Sequence, residues 1–391
     1  MRLLLIFLAA ACGREPRVPA LPDLDSLALT VLPSVERAVG LRFRAPPVMA
    51  WRTRDAVTRY LEQRLDQEYP PAEMAKVESS YRLFGFITDS MDLRSVLVEL
   101  LSEQVVGYYD PDSTTLYVVE GAGIDAVRLT LGHELVHALQ HQYVPLDSLL
   151  RRKGQNDAQI AFQAVMEGQA TLASLLALLP AGQLDAVGDF WGDFRQQIRA
   201  AQNQMPVFRT APLILREGLL FPYLAGADFA RWFARMYPDT VPYGPRMPVS
   251  TEQILHPDRY RTGDVPVGLA YPLDVWHQDD LGEFEIHLLL QELGASEVIA
   301  AAAARGWNGD RYAVTVSGSD TALVWWTVWD DPTAQRRFLR RIEEGWRARH
   351  DARGRRWEIR EETIGGFPAV VVVDAPTGWS GWASPIRPSV R

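Results

Sequence analysis

Leu131-Gly132-His133-Glu134-Leu135-Val136-His137 places two imidazoles four residues apart, with a carboxylate beside the first. The flanking pattern is helical. Val127, Leu129, Leu131, Leu135, Val136 and Leu139 recur around the segment to about residue 142, and Pro145 stops any continuation. The helix is expected to open after Gly121-Ala122-Gly123, with Ile124 as staple and Asp125 as N-cap. Side chains at i and i+4 share one helical face, so His133 and His137 can hold one ion at about 2.1 Å, the usual Zn–N distance. Glu134 projects beside them, where it can take a proton from metal-bound water. The pattern His-Glu-x-x-His thus points to zinc-assisted hydrolysis. The competing reading is a helix with hydrogen-bonded core histidines; with only 7 His in 391 residues, a chance cluster of this kind is rare.

Catalytic zinc usually has three protein ligands plus water. His141 continues the i, i+4 line but lies about 12 Å along the axis from His133, too far to share the ion. The metzincin extension fails, because Gln140 stands where Gly is needed and Tyr143 where the third His belongs. Glu167 is the better candidate. Residues 158–179 are apolar around most of a helical circumference, with Gln163, Glu167 and Thr171 forming a polar line at i, i+4, i+8. A carboxylate in that setting needs a cation or a hydrogen-bonded partner. Zinc would supply one; pairing with Arg151 or Arg152 is the alternative. Gly168 and Ala170 are expected to permit close packing on the motif helix.

His133-Glu134-Leu135-Val136-His137 followed by Glu167-Gly168-Gln169-Ala170 resembles the gluzincin class of zinc metallopeptidases. The resemblance implies Zn2+ on His133, His137 and Glu167, with Glu134 as general base. The spacing from His137 to Glu167 is longer than in thermolysin-like and Glu-Gly-x-Ala aminopeptidase members. The chain is also similar to an uncharacterised family of bacterial envelope lipoproteins. The marks are Glu103-Gln-Val-Val-Gly-Tyr-Tyr-Asp-Pro111, the motif helix ending Ala138-Leu-Gln140, Met166-Glu-Gly-Gln-Ala-Thr171 and Ser250-Thr-Glu-Gln-Ile-Leu-His-Pro257, spanning roughly residues 80–310. That similarity implies a metallopeptidase assignment resting on the motif rather than on known substrates.

A chain of 391 residues suits two domains, and 47% hydrophobic with 23% charged residues is ordinary for a globular protein. A net charge of −9 without a basic stripe argues against nucleic acid as a partner. Residues 1–11 read as a very short secretory signal: Arg2, the apolar Leu3 to Leu8, then Ala9-Ala10-Ala11 before Cys12. Cys12 is the single cysteine, so a disulfide framework and a Cys zinc site are excluded. Its placement resembles a bacterial lipobox, although Ala9 stands where Leu is commoner; a free buried thiol is the alternative. Lipid on Cys12 would tether the protein to a membrane in the bacterial cell envelope. No other run reaches the ~18 apolar residues of a membrane span.

The remaining pattern predicts an α+β chain: a helix-rich, zincin-like metallopeptidase domain with a β-hairpin before the metal helix, plus a C-terminal α+β module. The expected divisions are a signal peptide (1–11), a lipid-anchored tether and lead-in (12–50), a catalytic domain (51–268) and the C-terminal module (269–391). Helical patterns occupy 55–68, 71–84 and 93–102. Strand-like runs at 104–109 and 116–119 flank Asp110-Pro-Asp-Ser-Thr114 and predict the hairpin. Zincins use such a strand edge to pair with an extended peptide, the expected substrate being a peptide or protein; an ordinary core hairpin is the alternative. Further helices are expected at 184–202 and 226–237. Ser250 or Thr251 should cap a short helix that ends at His256. His256 could donate to a tetrahedral oxyanion, or serve only in a cap-and-staple element; Tyr223 and Tyr260 are further donor candidates. Beyond residue 271, helices at 281–293, 296–305 and 332–347 alternate with strands at 312–317, 322–329, 357–361 and 369–373. Trp325, Trp326 and Trp329 suit packing better than a sugar platform. The rival function is a noncatalytic zinc-containing envelope lipoprotein acting as a binding or assembly module; a second keeps zinc hydrolysis on something other than peptides.

Overall fold

The computed structural model describes residues 23–144, 153–179, 189–271, 275–318, 320–350 and 355–391. The expected signal, Cys12, the tether up to residue 22, Arg151 and Arg152 lie outside them. The chain opens with α1 (Leu24–Val39), started by Asp23, whose carboxylate accepts from the Asp25 N–H. Its apolar stripe, Leu24, Ala28, Val31, Val35 and Val39, is buried. The strand β1 (Val48–Arg52) follows. The lead-in expected up to residue 50 therefore contributes a helix to the core and part of a strand whose Met49 and Trp51 pack against it. Next come α2 (Arg54–Glu68), α3 (Pro71–Phe84) and α4 (Leu93–Gln104).

The hairpin β2 (Gly107–Asp110) and β3 (Thr115–Val119) pairs antiparallel. Asp110 builds its turn by accepting from Ser113 Oγ at 2.6 Å and from the Asp112 N–H at 3.3 Å. β1 pairs in parallel with β3, giving a three-stranded sheet in the order β1-β3-β2. Alternation decides its faces. Tyr109, Leu116 and Val118 join the cluster that includes α1 and the motif helix, α5 (Ile124–His141). Tyr108 and Tyr117 face the other way, where Tyr60 stacks on Tyr108 at 4.3 Å and the Arg52 guanidinium lies 3.8 Å over the Tyr117 ring. α5 starts at an N-cap of Gly123, not Asp125. Asp125 instead sits in the first turn, where a carboxylate complements the positive end of the helix dipole.

α6 (Asn156–Leu178) is buried nearly all round from Asn156 to Ser174, and packs against α5, α1 and α9 (Leu213–Met236). Between them in the chain lie α7 (Phe190–Gln202) and α8 (Pro206–Thr210). α9 begins 13 residues before the predicted 226 and runs through Pro222. The small residues of α6 serve two neighbours. Ala170 packs in the α5 cluster, as expected, whereas Gly168 faces α9: a Cβ there would lie 2.0 Å from the Gly226 carbonyl carbon. α10 (Thr251–Leu255), capped by Ser250, and α11 (Pro257–Thr262) follow.

The C-terminal module comprises β4 (Leu269–Ala270), β5 (His277–Asp279), α12 (Gly282–Glu292), α13 (Glu297–Ala304), β6 (Trp307–Ser317), β7 (Asp320–Trp329), α14 (Pro332–His350), β8 (Arg356–Ile364), β9 (Phe367–Ala375) and β10 (Ser389–Val390). Its antiparallel five-stranded sheet has the order β5-β6-β7-β9-β8. Tyr312, Val314, Leu323, Trp325, Val370 and Val372 point toward the helices, and Ala313, Val324, Trp326 and Val371 toward the C-terminal segment. All three tryptophans of β7 are buried, as core packing requires. Phe84 of α3 meets Tyr312, Trp325 and Trp346 edge-on at 5.1, 5.2 and 6.4 Å, so one hydrophobic core runs from the helical part into the module. The chain is thus α+β throughout. Among the described residues, no helix is long and apolar enough to cross a membrane.

Candidate metal centre

α5 presents His133 and His137 on one face, with their Nε2 atoms 3.0 Å apart. α6 brings Glu167 to them, with Oε2 at 3.0 Å from His133 Nε2 and 3.4 Å from His137 Nε2. All three residues are at most 1% exposed. They form a group that could hold a metal ion. At a metal–ligand distance of about 2.05 Å, neighbouring donors of a tetrahedron lie roughly 3.3 Å apart. The observed triangle matches one face of that polyhedron.

Tautomers sharpen the fit. Gln140 Nε2 donates to the Met166 carbonyl at 3.0 Å, which turns Gln140 Oε1 toward His137 Nδ1 at 2.8 Å. His137 Nδ1 therefore carries a proton, and its Nε2 lone pair faces the triangle. The His137 Nε2 lone pair and the Glu167 carboxylate then converge beside His133 Nε2 in a buried space, and Glu167 Oε1 has no hydrogen-bond partner. Such a cluster requires positive charge, either a proton or a metal ion. Without an ion, burial drags the His133 imidazole down to about 4 despite its bond to Glu167. Burial also opposes charge on His137, but the Glu167 carboxylate outweighs it and holds the imidazole up at about 9. Burial would raise Glu167, yet the two imidazoles pull it down to about 2. The triad is thus arranged to hold positive charge, and a divalent cation fits that place.

Glu134 is fully buried and anchored by the sheet. Its Oε2 accepts from the Tyr109 backbone N–H at 2.8 Å. β2 is an edge strand, and the Val119 N–H bond to the Val106 carbonyl sets its alternation, so Gly107 and Tyr109 turn their backbone groups away from β3. The outward amide of Tyr109 is thus already taken by Glu134. All four residues of β2 are buried, which is the property of the core-hairpin alternative.

The donor candidates separate. Tyr223 of α9 lies over His133, with ring centroids 5.9 Å apart and planes 28° from parallel. His256 is placed elsewhere: its Nε2 contacts Glu283 Oε1 at 2.9 Å, because α10 packs on α12. Tyr260 donates to the Arg246 carbonyl at 2.8 Å and is packed among Phe229, Trp232, Phe233 and Tyr237. His141 meets the Tyr109 hydroxyl at 3.0 Å, apart from the triad. Sequence reasoning missed Gln140 and the Tyr109 amide. Gln140 was findable, since i+3 from His137 puts it on the same face; a backbone donor leaves no mark in the sequence.

Residues 272–378 match a family described as a domain of unknown function (DUF8575), which covers most of the C-terminal module and none of the triad. No curated protein and no solved structure matches the chain.

Proposed function

We propose that this chain is a zinc metallopeptidase with a zincin-like catalytic domain, exported and anchored to the bacterial cell envelope through lipid on Cys12. The observation that carries the reading is the buried His133-His137-Glu167 triangle with Glu134 beside it, fixed by a strand amide. Three protein donors favour catalysis over structure: structural zinc sites are closed by four protein ligands, whereas catalytic ones keep a position open. A fourth ligand is not present in the group among the described residues.

Bound there, zinc would supply Lewis acidity toward a substrate carbonyl and toward water. The chain's own residues supply the rest. His133, His137 and Glu167 would hold the ion, their Nε2, Nε2 and Oε2 atoms facing one another. Glu134 would take a proton from water on its carboxylate and return it to a leaving amine. The Tyr109 N–H keeps the Glu134 carboxylate from turning away. Tyr223, over His133, is the candidate donor to the developing oxyanion.

The test is metal content of the purified chain by elemental analysis, followed by hydrolysis of a mixed peptide library with and without chelator. One equivalent of zinc and chelator-sensitive cleavage are expected. Zinc without cleavage would favour the noncatalytic lipoprotein, and absence of zinc would defeat both. Replacing Cys12 by Ser should abolish incorporation of labelled fatty acid in cells; undiminished labelling would remove the anchor from the reading.

A further inference from the structure

The contacts of His137 continue beyond Gln140. Gln140 Nε2 also donates to Gln169 Oε1 at 3.0 Å, and the Tyr243 hydroxyl donates to the same Gln169 oxygen. Gln140 is fully buried, and Gln169 and Tyr243 are 9% exposed. Tyr243 belongs to none of the helices that form the site. It lies in Val241-Pro242-Tyr243-Gly244-Pro245, between α9 and α10.

We infer that Tyr243, Gln169 and Gln140 form a relay of positioning residues that fixes the His137 imidazole as an Nε2 ligand, so that a loop outside the metal helices sets metal affinity. Gln169 Oε1 accepts two donors, which fixes the direction of its amide. That in turn aligns Gln140 Nε2, whose other bond goes to the Met166 carbonyl one residue before Glu167. Gln140 Oε1 can then only face His137. The chain of bonds ties the orientation of one ligand to the backbone that carries another. Outer partners of metal-bound imidazoles fix the tautomer and ring direction, and losing one typically weakens metal binding by roughly 10- to 100-fold.

This inference rests on the metal reading proposed above, and its test separates the two. Zinc affinity of the full chain is measured by competition with a chromophoric chelator for the parent protein, Gln140→Met, Gln169→Leu and Tyr243→Phe. The readout on the imidazole itself is solvent exchange of the His137 Nδ1 proton, followed by nitrogen-15 NMR of the zinc-loaded protein. The expected losses are graded along the relay: about 10- to 100-fold for Gln140→Met, less for Gln169→Leu and a few-fold for Tyr243→Phe. Exchange of the Nδ1 proton should quicken in the same order. Tyr243→Phe removes one hydroxyl only, so it keeps the test decisive if a core substitution unfolds the chain. A parent protein that binds zinc while Gln140→Met and Tyr243→Phe bind within about twofold of it would overturn the relay alone. A parent that binds no zinc would overturn the metal reading beneath it.

Discussion

Gly168→Ala should be among the most damaging single-methyl additions in the chain. A Cβ at residue 168 would lie 2.0 Å from the Gly226 carbonyl carbon, 2.1 Å from its oxygen and 2.6 Å from the Ala227 nitrogen. From the other side, a Cβ at Gly226 would meet the Ala164 oxygen at 2.1 Å. Non-bonded carbons settle at about 3.5 Å or more, so α6 and α9 must part by roughly 1.5 Å. Backbone on both sides leaves no flexible side chain to yield, which puts the overpacking cost near about 3 kcal/mol. Alanine's better helix propensity returns about 1 kcal/mol, leaving a net loss of about 2 kcal/mol. The displacement also carries Tyr223 away from His133 while moving the residue next to Glu167. Gly132→Ala is the control, since its nearest neighbour is a side-chain end, Leu178 Cδ1, at 3.2 Å. It should be neutral, or more stable by up to about 1 kcal/mol. Urea unfolding of the two variants beside the parent protein reads the difference, and zinc content reads its reach into the site. A Gly168→Ala midpoint equal to the parent's would refute the backbone contact and the argument built on it.

Glu167→Ala should strip the metal, because two imidazoles without the carboxylate lose both a ligand and the negative charge that favours a cation; unchanged zinc by elemental analysis would assign the third ligand elsewhere. Glu134→Gln keeps a group that can accept from the Tyr109 N–H but cannot act as base, so it should retain zinc and lose peptide hydrolysis; turnover near the parent rate would remove Glu134 from the chemistry. Acid–base behaviour gives a further check away from the triad. Burial raises Asp157 to about 8, against the lowering bonds from Thr251, and burial with the nearby Glu283 raises Glu252 to about 9. The fold therefore holds protons that the unfolded chain releases near pH 4, so their contribution is present in acid and lost as pH rises through about 8 to 9. Urea midpoints of the metal-free protein should fall from about pH 5 to about pH 9, and less steeply in Asp157→Asn; an equal slope in that variant would show Asp157 ionised in the fold.

The triad was legible because its members break the pattern around them: two imidazoles at helical spacing on one helix and a carboxylate on another stand inside apolar surfaces, and such groups need partners wherever the chain folds. What stayed hidden was direction. Gly168 announced a close approach without naming its partner, since a missing side chain carries no complementarity; the partner was Gly226, 58 positions on, rather than the motif helix. α1 has an apolar stripe at Leu24, Ala28, Val31, Val35 and Val39, but Pro33 interrupts its local helical pattern, and the segment is expected only as part of a lead-in. Pro222 likewise obscured the first half of α9, and with it the placement of Tyr223 over His133. In both helices, burial of one face outweighs the hydrogen bond that proline removes, a balance settled by tertiary contacts and invisible to local propensity. The same holds for β1, whose parallel pairing with β3 joins segments more than sixty residues apart. Thus residues whose own chemistry demands a partner could be read one by one. Those whose role depends on which neighbour arrives, such as Gly168, Tyr243 and the Tyr109 amide, required the assembled core.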